Sequence, residues 1–465
     1  MPEDIETFRD HFLSMYQSIV SEAASRIDAS DRAGAHSGGR ARHAVGRSAS
    51  SLLPACAADV ARREYAHRYG QPPAASPVGR TRKLAAGDAA RVCAELAFRY
   101  LKARLSGDSE ALAAVRSELT ASTCDPAWAM TIEEYLKYFG PEGSRREIPY
   151  VRPSAVRNRT IELKAGARVA LVGDWGTGAQ PAIQVLKEIA SFKPDVLVHL
   201  GDIYYSGTPA ECASNFTAII ERVLRRTNPD LPTYTLAGNH DMYCGGVGYY
   251  ELIRQLNPEP LRQPASFFCL RSADEKWQLL ALDTGLHDYS PLGVAEAVTR
   301  IEDDELEWHC ARLKEFRGRT ILLSHHQLFS AFSPIGKADE RGKRSAINPH
   351  LLTAFNTMAA AGRISAWFWG HEHTLSIYNP FAGLERGRCF GHGAVPVSIL
   401  DTIYVPIPGL DQVPTIVPKT ELRQQGSVYA HGFAILSFGA DACLADYYQD
   451  IDGAAVLVYS ELIAD

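Results

Sequence analysis

No run of about 18 apolar residues occurs in this chain, which argues against a membrane-crossing helix. The opening stretch MPEDIETFRDHF has no basic segment followed by an apolar one, so no secretion signal is expected. The nine cysteines contain no Cys-x-x-Cys pair. That lack argues against a thiolate zinc framework, and the odd, scattered count fits reduced thiols in a cytoplasmic protein. Excess positive charge is lacking as well: the formal net charge is −6, so nucleic acid is not the expected partner, and no membrane is. The Asn-x-Thr triplets at Asn158 and Asn215 are read as chance in a chain without a secretion signal.

What is present is the composition of a soluble globular protein, 46% hydrophobic and 22% charged. Its 465 residues are enough for two or three domains. Residues 1–150 carry apolar side chains at helical spacing: Ile5, Phe8, Phe12, Tyr16 and Ile19, then Cys93, Leu96, Tyr100 and Leu101. Gly/Ser/Arg-rich and Pro-rich stretches at 29–50 and 69–80 read as loops. A helical N-terminal region is therefore expected over 1–150, serving packing or homo-oligomer formation, with a second domain over 151–465.

From about residue 165 short apolar runs recur, at 168–176, 195–205, 233–241, 277–285, 319–327 and 365–373. Runs of this length are consistent with buried strands. Helical patterns at 182–192 and 305–316 lie between them, which predicts a layered α/β fold. The tail over 432–450 reads as two strands joined at Gly439–Asp441.

The ends of these runs share one character. Asp174 follows the first, Asp202 and Tyr205 the second, and Asn239 and His240 the third. His325 and His326 follow the fifth, and His371 and His373 the last. Strand ends of an α/β sheet converge on one edge, where ligands bind. Carboxylate, imidazole, amide and phenol donors suit iron, manganese or zinc. They outnumber what one ion needs and would serve two ions about 3.5–4 Å apart, bridged by a carboxylate.

GDWG, GDIYY, GNHD, LLSH and GHEH, in that order, resemble the five blocks of the calcineurin-like metallophosphoesterase superfamily. The likeness is closest to its purple acid phosphatase branch, because Gly176 stands where many relatives have a first-block histidine and Tyr205 follows Asp202 by three. The chain departs from that branch in having Asp241 where glutamate is usual, and in its helical region in place of a β-rich N-terminal domain. The resemblance implies an α/β sandwich of two mixed sheets flanked by helices. It also implies two metal ions per chain, Fe(III) with a divalent Fe, Mn or Zn, or a Mn/Mn or Zn/Zn pair. Asp174, Tyr205 and His373 would hold one metal, Asn239, His325 and His371 the other, and Asp202 would bridge them. A hydroxide held between the metals would attack a small phosphate mono- or diester in line. His240 would contact substrate, with Asp241 orienting it, and His326 would assist. A nuclease of the same superfamily and a catalytically silent scaffold are the alternatives; the first lacks a basic balance and the second would have lost ligands.

Several neighbours have plainer readings. Alternation predicts that Tyr204 turns away from the site. Glu372 is expected to be structural, and Trp367, Phe368 and Trp369 to be core. Asp283 either orients a ligand or makes a turn. Arg341, Lys343 and Arg344 form a solvated basic run.

Overall fold

The computed structural model describes residues 134–135, 137–139 and 147–464, except 291–296, 337–343, 398, 400–402, 408–409, 411 and 426–427. The helices expected within 1–150 lie almost wholly outside the described residues, as do Arg341 and Lys343. Tyr135–Val395 and Thr402–Asp465 form one compact unit.

The strands are β1 (Ile161–Leu163), β2 (Arg168–Val172), β3 (Val196–His199), β4 (Thr233–Thr235), β5 (Phe268–Ser272), β6 (Trp277–Ala281), β7 (Arg319–Leu323) and β8 (Ile364–Trp369). They continue as β9 (Leu375–Ile377), β10 (Gly387–Phe390), β11 (Gln424–Gln425), β12 (Val428–Tyr429), β13 (Gly432–Phe438), β14 (Cys443–Ile451) and β15 (Ala454–Ile463). One sheet has the order β15-β14-β13-β2-β3-β4, the other β1-β5-β6-β7-β8-β10-β9, and β11 and β12 form a small ribbon. Both large sheets are mixed. Strands β2, β3 and β4 run parallel while β13 joins β2 antiparallel. Strands β6, β7 and β8 run parallel while β5 joins β6 antiparallel.

The parallel strands are buried almost throughout, which is why they read as continuous apolar runs and do not alternate. The two sheets face each other through rings from both: Phe368 lies against Tyr447, Tyr234 against Phe268, and Trp277 against Phe438. Arg388 of β10 makes a bidentate pair with Glu461 of β15 across the same layer, at 2.7 Å for each bond.

Helices cover the outer faces. Helix Gln180–Ser191 begins with Pro at its first turn and buries Ala182, Val185, Leu186 and Ile189 at helical spacing against the first sheet. Helix Asp303–Glu315 has Asp303, Asp304 and Glu305 in its first turn, where the helix dipole favours negative charge. Helix Pro349–Ala361 is capped by the Asn348 side chain, which accepts from His350 N and Leu351 N. Both pack on the second sheet, with Trp308, Leu313, Leu351 and Phe355 joining Leu280, Leu322 and Trp367 in one core.

The expected layered sandwich of two mixed sheets is therefore the observed one. The tail hairpin is present as β13 and β14, and Trp367, Phe368 and Trp369 are core. The tail also holds a further strand, β15, that its sequence pattern does not announce. Among the described residues no helix is long and apolar enough to cross a membrane.

Candidate metal centre

Asp174 follows β2, Asp202 follows β3 and Asn239 follows β4, all in the first sheet; His325 follows β7, and His371 and His373 follow β8, in the second. The site thus lies where parallel strand ends of two facing sheets meet, not at the edge of a single open sheet. Asp174, Asp202 and His371 have φ of 53°, 73° and 65°. Non-glycine residues rarely enter this left-handed region, and such backbone is held at sites where the side chain must be aimed. The approach of the segments is close: a Cβ on Gly238 would collide with Asp202 Oδ1.

Two groups of ligand atoms converge. In the first, His325 Nδ1 lies 2.9 Å from the Leu200 carbonyl and donates its hydrogen there. That bond fixes the tautomer and leaves a lone pair on Nε2. Yet Nε2 faces Asn239 Oδ1 at 3.2 Å, His371 Nδ1 at 3.2 Å and Asp202 Oδ2 at 3.4 Å. His371 Nδ1 is also 3.0 Å from Asn239 Oδ1. In the second group, Asp174 Oδ1 lies 3.4 Å from His373 Nε2 and 3.1 Å from the Tyr204 hydroxyl. The Tyr204 hydroxyl is 3.2 Å from both His373 Nε2 and Asp202 Oδ2. Asp202 Oδ2 is shared by the two groups.

The lone pair of His325 Nε2 meets Asn239 Oδ1 and Asp202 Oδ2 in a buried place, an arrangement that suits a cation. Burial, together with the charges of Asp174 and Asp241, pushes the Asp202 carboxyl well above its ordinary range. A metal ion removes that penalty, and the oxygen and imidazole donors are those that hard and borderline metals take. Two sets of atoms lie within 4.8 Å of one another: His325, His326 and His371, and Asp174, Asp202 and His325. The residues present therefore fit metal ions, and His325 belongs to both sets.

The tyrosine whose hydroxyl stands in the cluster is Tyr204, where Tyr205 was expected. Tyr204 is wholly buried, and burial plus the neighbouring carboxylates push its phenol well above the ordinary value. Tyr205 contributes its backbone: its N–H donates to Glu211 at 2.6 Å and its carbonyl lies 2.7 Å from His240 Nδ1. Alternation misplaced the pair because it holds only within a strand, and β3 ends at His199.

Asp241 does not orient His240. Its carboxylate accepts from the backbone N–H groups of Asp202 at 2.9 Å, Gly238 at 2.8 Å and Ile203 at 3.2 Å. The two residues sit on the short helix Asn239–Met242, where successive side chains diverge by about 100°. His240 lies with Nε2 4.0 Å from Asp202 Oδ2, and burial lowers its imidazole to about 3.

His326 touches Thr284 Oγ1 at 3.0 Å through Nδ1 and Asp288 Oδ2 at 3.1 Å through Nε2, with its ring 4.4 Å from that of His371. Thr284 and Asp288 were not read from the sequence; they stand on an ordinary-looking loop with no pattern to mark them. Asp283 makes a turn, accepting from Gly285 N and Leu286 N at 3.0 Å each. Gly176 packs against the 202–203 backbone, where a Cβ would meet Asp202 O and Ile203 Cα at 2.8 Å each, so no histidine fits there.

Residues 167–375 match the family model described as calcineurin-like phosphoesterase, a segment that holds every residue of the cluster. The segment is similar to that family, and the layered fold of two mixed sheets described above is consistent with it. No curated protein matches the chain. Among solved structures, GAP50, the anchor in the inner membrane complex of Plasmodium, is similar at 14% identity over 64% of this chain and 88% of that one, with a TM-score of 0.44. Vacuolar Protein Sorting 29 from Cryptosporidium parvum is similar at 10% identity over 65% of this chain and 100% of that one, with a TM-score of 0.30. A Thermus thermophilus protein, TT1561, is similar at 12% identity over 49% of this chain and 90% of that one, with a TM-score of 0.28.

Proposed function

We propose that this protein is a metal-dependent phosphoester hydrolase acting on a small phosphate mono- or diester. The observation that carries this reading is the sharing of Asp202 Oδ2 between two groups of donor atoms, His325 and Asn239 with His371 on one side, Asp174 and Tyr204 with His373 on the other. Two metal ions, when bound, supply the Lewis acidity that yields hydroxide at neutral pH and offsets charge at phosphorus.

The chain's own groups do the rest. Asp202, whose Oδ2 both donor groups share, would help hold each ion. His240 Nδ1 donates to the Tyr205 carbonyl, so Nε2 is directed at the cluster, where it meets a phosphoryl or departing oxygen. Neutral in the absence of an anion, it acquires a proton most readily when a phosphate group arrives beside it. Thr284 and Asp288 hold the His326 ring beside His371, within reach of the same substrate. Burial of Asp174, Asp202, Asn239 and His325 excludes bulk water and strengthens each of these interactions. The finer placement near the purple acid phosphatases, with ferric iron beside a divalent ion, rests on Gly176 and on a phenol in the cluster, which is that of Tyr204, two residues after Asp202, and not of Tyr205, three after it.

The test is a panel of phosphate mono- and diesters offered to the purified protein under defined loading with iron, manganese or zinc. Turnover of at least one ester with metal bound is expected. Protein that holds two ions per chain and turns over none of the panel would overturn the reading.

A further inference from the structure

We propose that Glu211, which belongs to none of the five motifs, is a positioning residue that sets the ring of His240. The inference rests on the proposed role of His240 at the substrate oxygen. Glu211 closes a capping box with Thr208: Glu211 N donates to Thr208 Oγ1 at 3.2 Å, and Glu211 Oε2 accepts from Thr208 N at 2.9 Å. A capping box needs no more than that. The same carboxylate also accepts from Tyr205 N at 2.6 Å and Ser206 N at 3.2 Å, two amides further back in the loop.

The Ser206 amide gives the arrangement its consequence. Ser206 N–H and the Tyr205 carbonyl belong to one peptide unit, which is planar and points the two groups in opposite directions. Glu211 holds the N–H side, and the carbonyl side receives His240 Nδ1 at 2.7 Å. Fixing one end of this plate fixes the other. The bond to the carbonyl places a hydrogen on His240 Nδ1 and leaves Nε2 directed at Asp202 Oδ2, 4.0 Å away. Asn215 Nδ2 steadies the preceding carbonyl, that of Tyr204, at 2.8 Å. Two carboxylates therefore divide the loop. Asp241 holds the Asp202–Ile203 end, and Glu211 holds the end that carries His240.

Full-length protein with Glu211→Gln and Glu211→Ala tests the proposal with two readouts. The first is the ring-nitrogen NMR signature of His240 without metal: a slowly exchanging Nδ1–H in the natural protein, weakened by Glu211→Gln and lost in Glu211→Ala. The second is turnover with metal bound. Metal stoichiometry should be unchanged, with kcat lower by about 10- to 100-fold in Glu211→Ala and less in Glu211→Gln, which keeps one acceptor oxygen. A folded, metal-replete Glu211→Ala that keeps the Nδ1–H signal and the natural kcat would overturn the proposal. If Glu211→Ala does not fold, Glu211→Gln decides by the same two measurements. If the natural protein turns nothing over, the proposed function fails, and the NMR signature alone decides the role of Glu211.

Discussion

Two buried clusters in this molecule are built from the same kinds of side chain. One is the candidate metal centre. The other joins Asp283, Glu305 and His309, all almost wholly buried, with Tyr150. In the second cluster the Glu305 carboxylate meets donors at both of its oxygens. Glu305 Oε1 accepts from Asp283 N at 2.9 Å and lies 3.2 Å from His309 Nε2, and Glu305 Oε2 accepts from the Tyr150 hydroxyl at 3.0 Å. In the first, the Nε2 lone pair of His325 faces an amide oxygen, a carboxylate oxygen and a second imidazole. Composition does not separate them, and burial does not either. What separates them is the point of convergence: hydrogens are available around the Glu305 carboxylate, whereas the lone pair of His325 Nε2 meets the oxygens of Asn239 and Asp202, and that is the physical difference between a structural network and a place for a cation.

Exchanging a carboxylate has its largest effect in the candidate metal centre. Asp202→Asn is expected to abolish binding of at least one metal and to lower turnover on the order of a thousandfold, because both groups of donors use that oxygen. Metal analysis and ester turnover check it. Natural turnover in Asp202→Asn would place the metals elsewhere.

Removing the metals sharpens the same contrast. Without a cation the folded Asp202 carboxyl titrates above its unfolded value. Its contribution to the bare fold is therefore fully present below the unfolded carboxyl range and is lost as pH rises through that folded value. A metal ion cancels the penalty. At one fixed concentration, a hundred times the Kd at pH 8, the ion should add about 2.7 kcal/mol at pH 8, and the gain in Tm should be smaller at pH 5.5, where the carboxyl holds its proton more. Equal shifts at the two pH values would argue that metal binds away from Asp202.

Much of this site was legible because strand ends in α/β folds carry function and the apolar runs mark where strands end. Asp174, Asp202, Asn239, His325, His371 and His373 come together from five such endings, as the ordered blocks imply. The parts that were not legible depend on backbone outside strands. Asp241 next to His240 invites pairing on paper, yet the first turn of a helix sends the two side chains apart, and the carboxylate ends on three amides. Glu211, Thr284 and Asp288 act on loop backbone or on another side chain, and nothing in their residue type or spacing distinguishes them from solvated loop residues. The two facing sheets were reached through the family likeness; the runs themselves were equally consistent with one sheet.

The tyrosine pair gives an intermediate effect. With iron bound, a phenol on the metal produces a visible charge-transfer band, and Tyr204→Phe should abolish that band while Tyr205→Phe keeps it. Turnover should fall about tenfold in Tyr204→Phe. Loss of the band in Tyr205→Phe instead would restore the order that strand alternation suggested.

The smallest effect belongs to the structural cluster, and it is the one that tests whether the two clusters truly differ. Glu305→Gln keeps an oxygen to accept from Asp283 N and gains an N–H to donate to the Tyr150 hydroxyl, so the network survives with a cost of about 1 kcal/mol or less at neutral pH. Burial and the Asp283 charge raise the Glu305 carboxyl in the folded state. Its contribution is thus fully present below the unfolded carboxyl range and is lost as pH rises through the folded value. The natural protein should lose stability to denaturant as pH rises through that value, and Glu305→Gln should lose less, so the gap between them closes or reverses at alkaline pH. Denaturant titrations across the pH range, with metal content and turnover measured on the same samples, decide it. Metal and turnover should both be untouched. Should Glu305→Gln lose metal as Asp202→Asn does, the buried network would have to be counted as part of the metal centre, and the availability of hydrogens would not be what tells the two clusters apart.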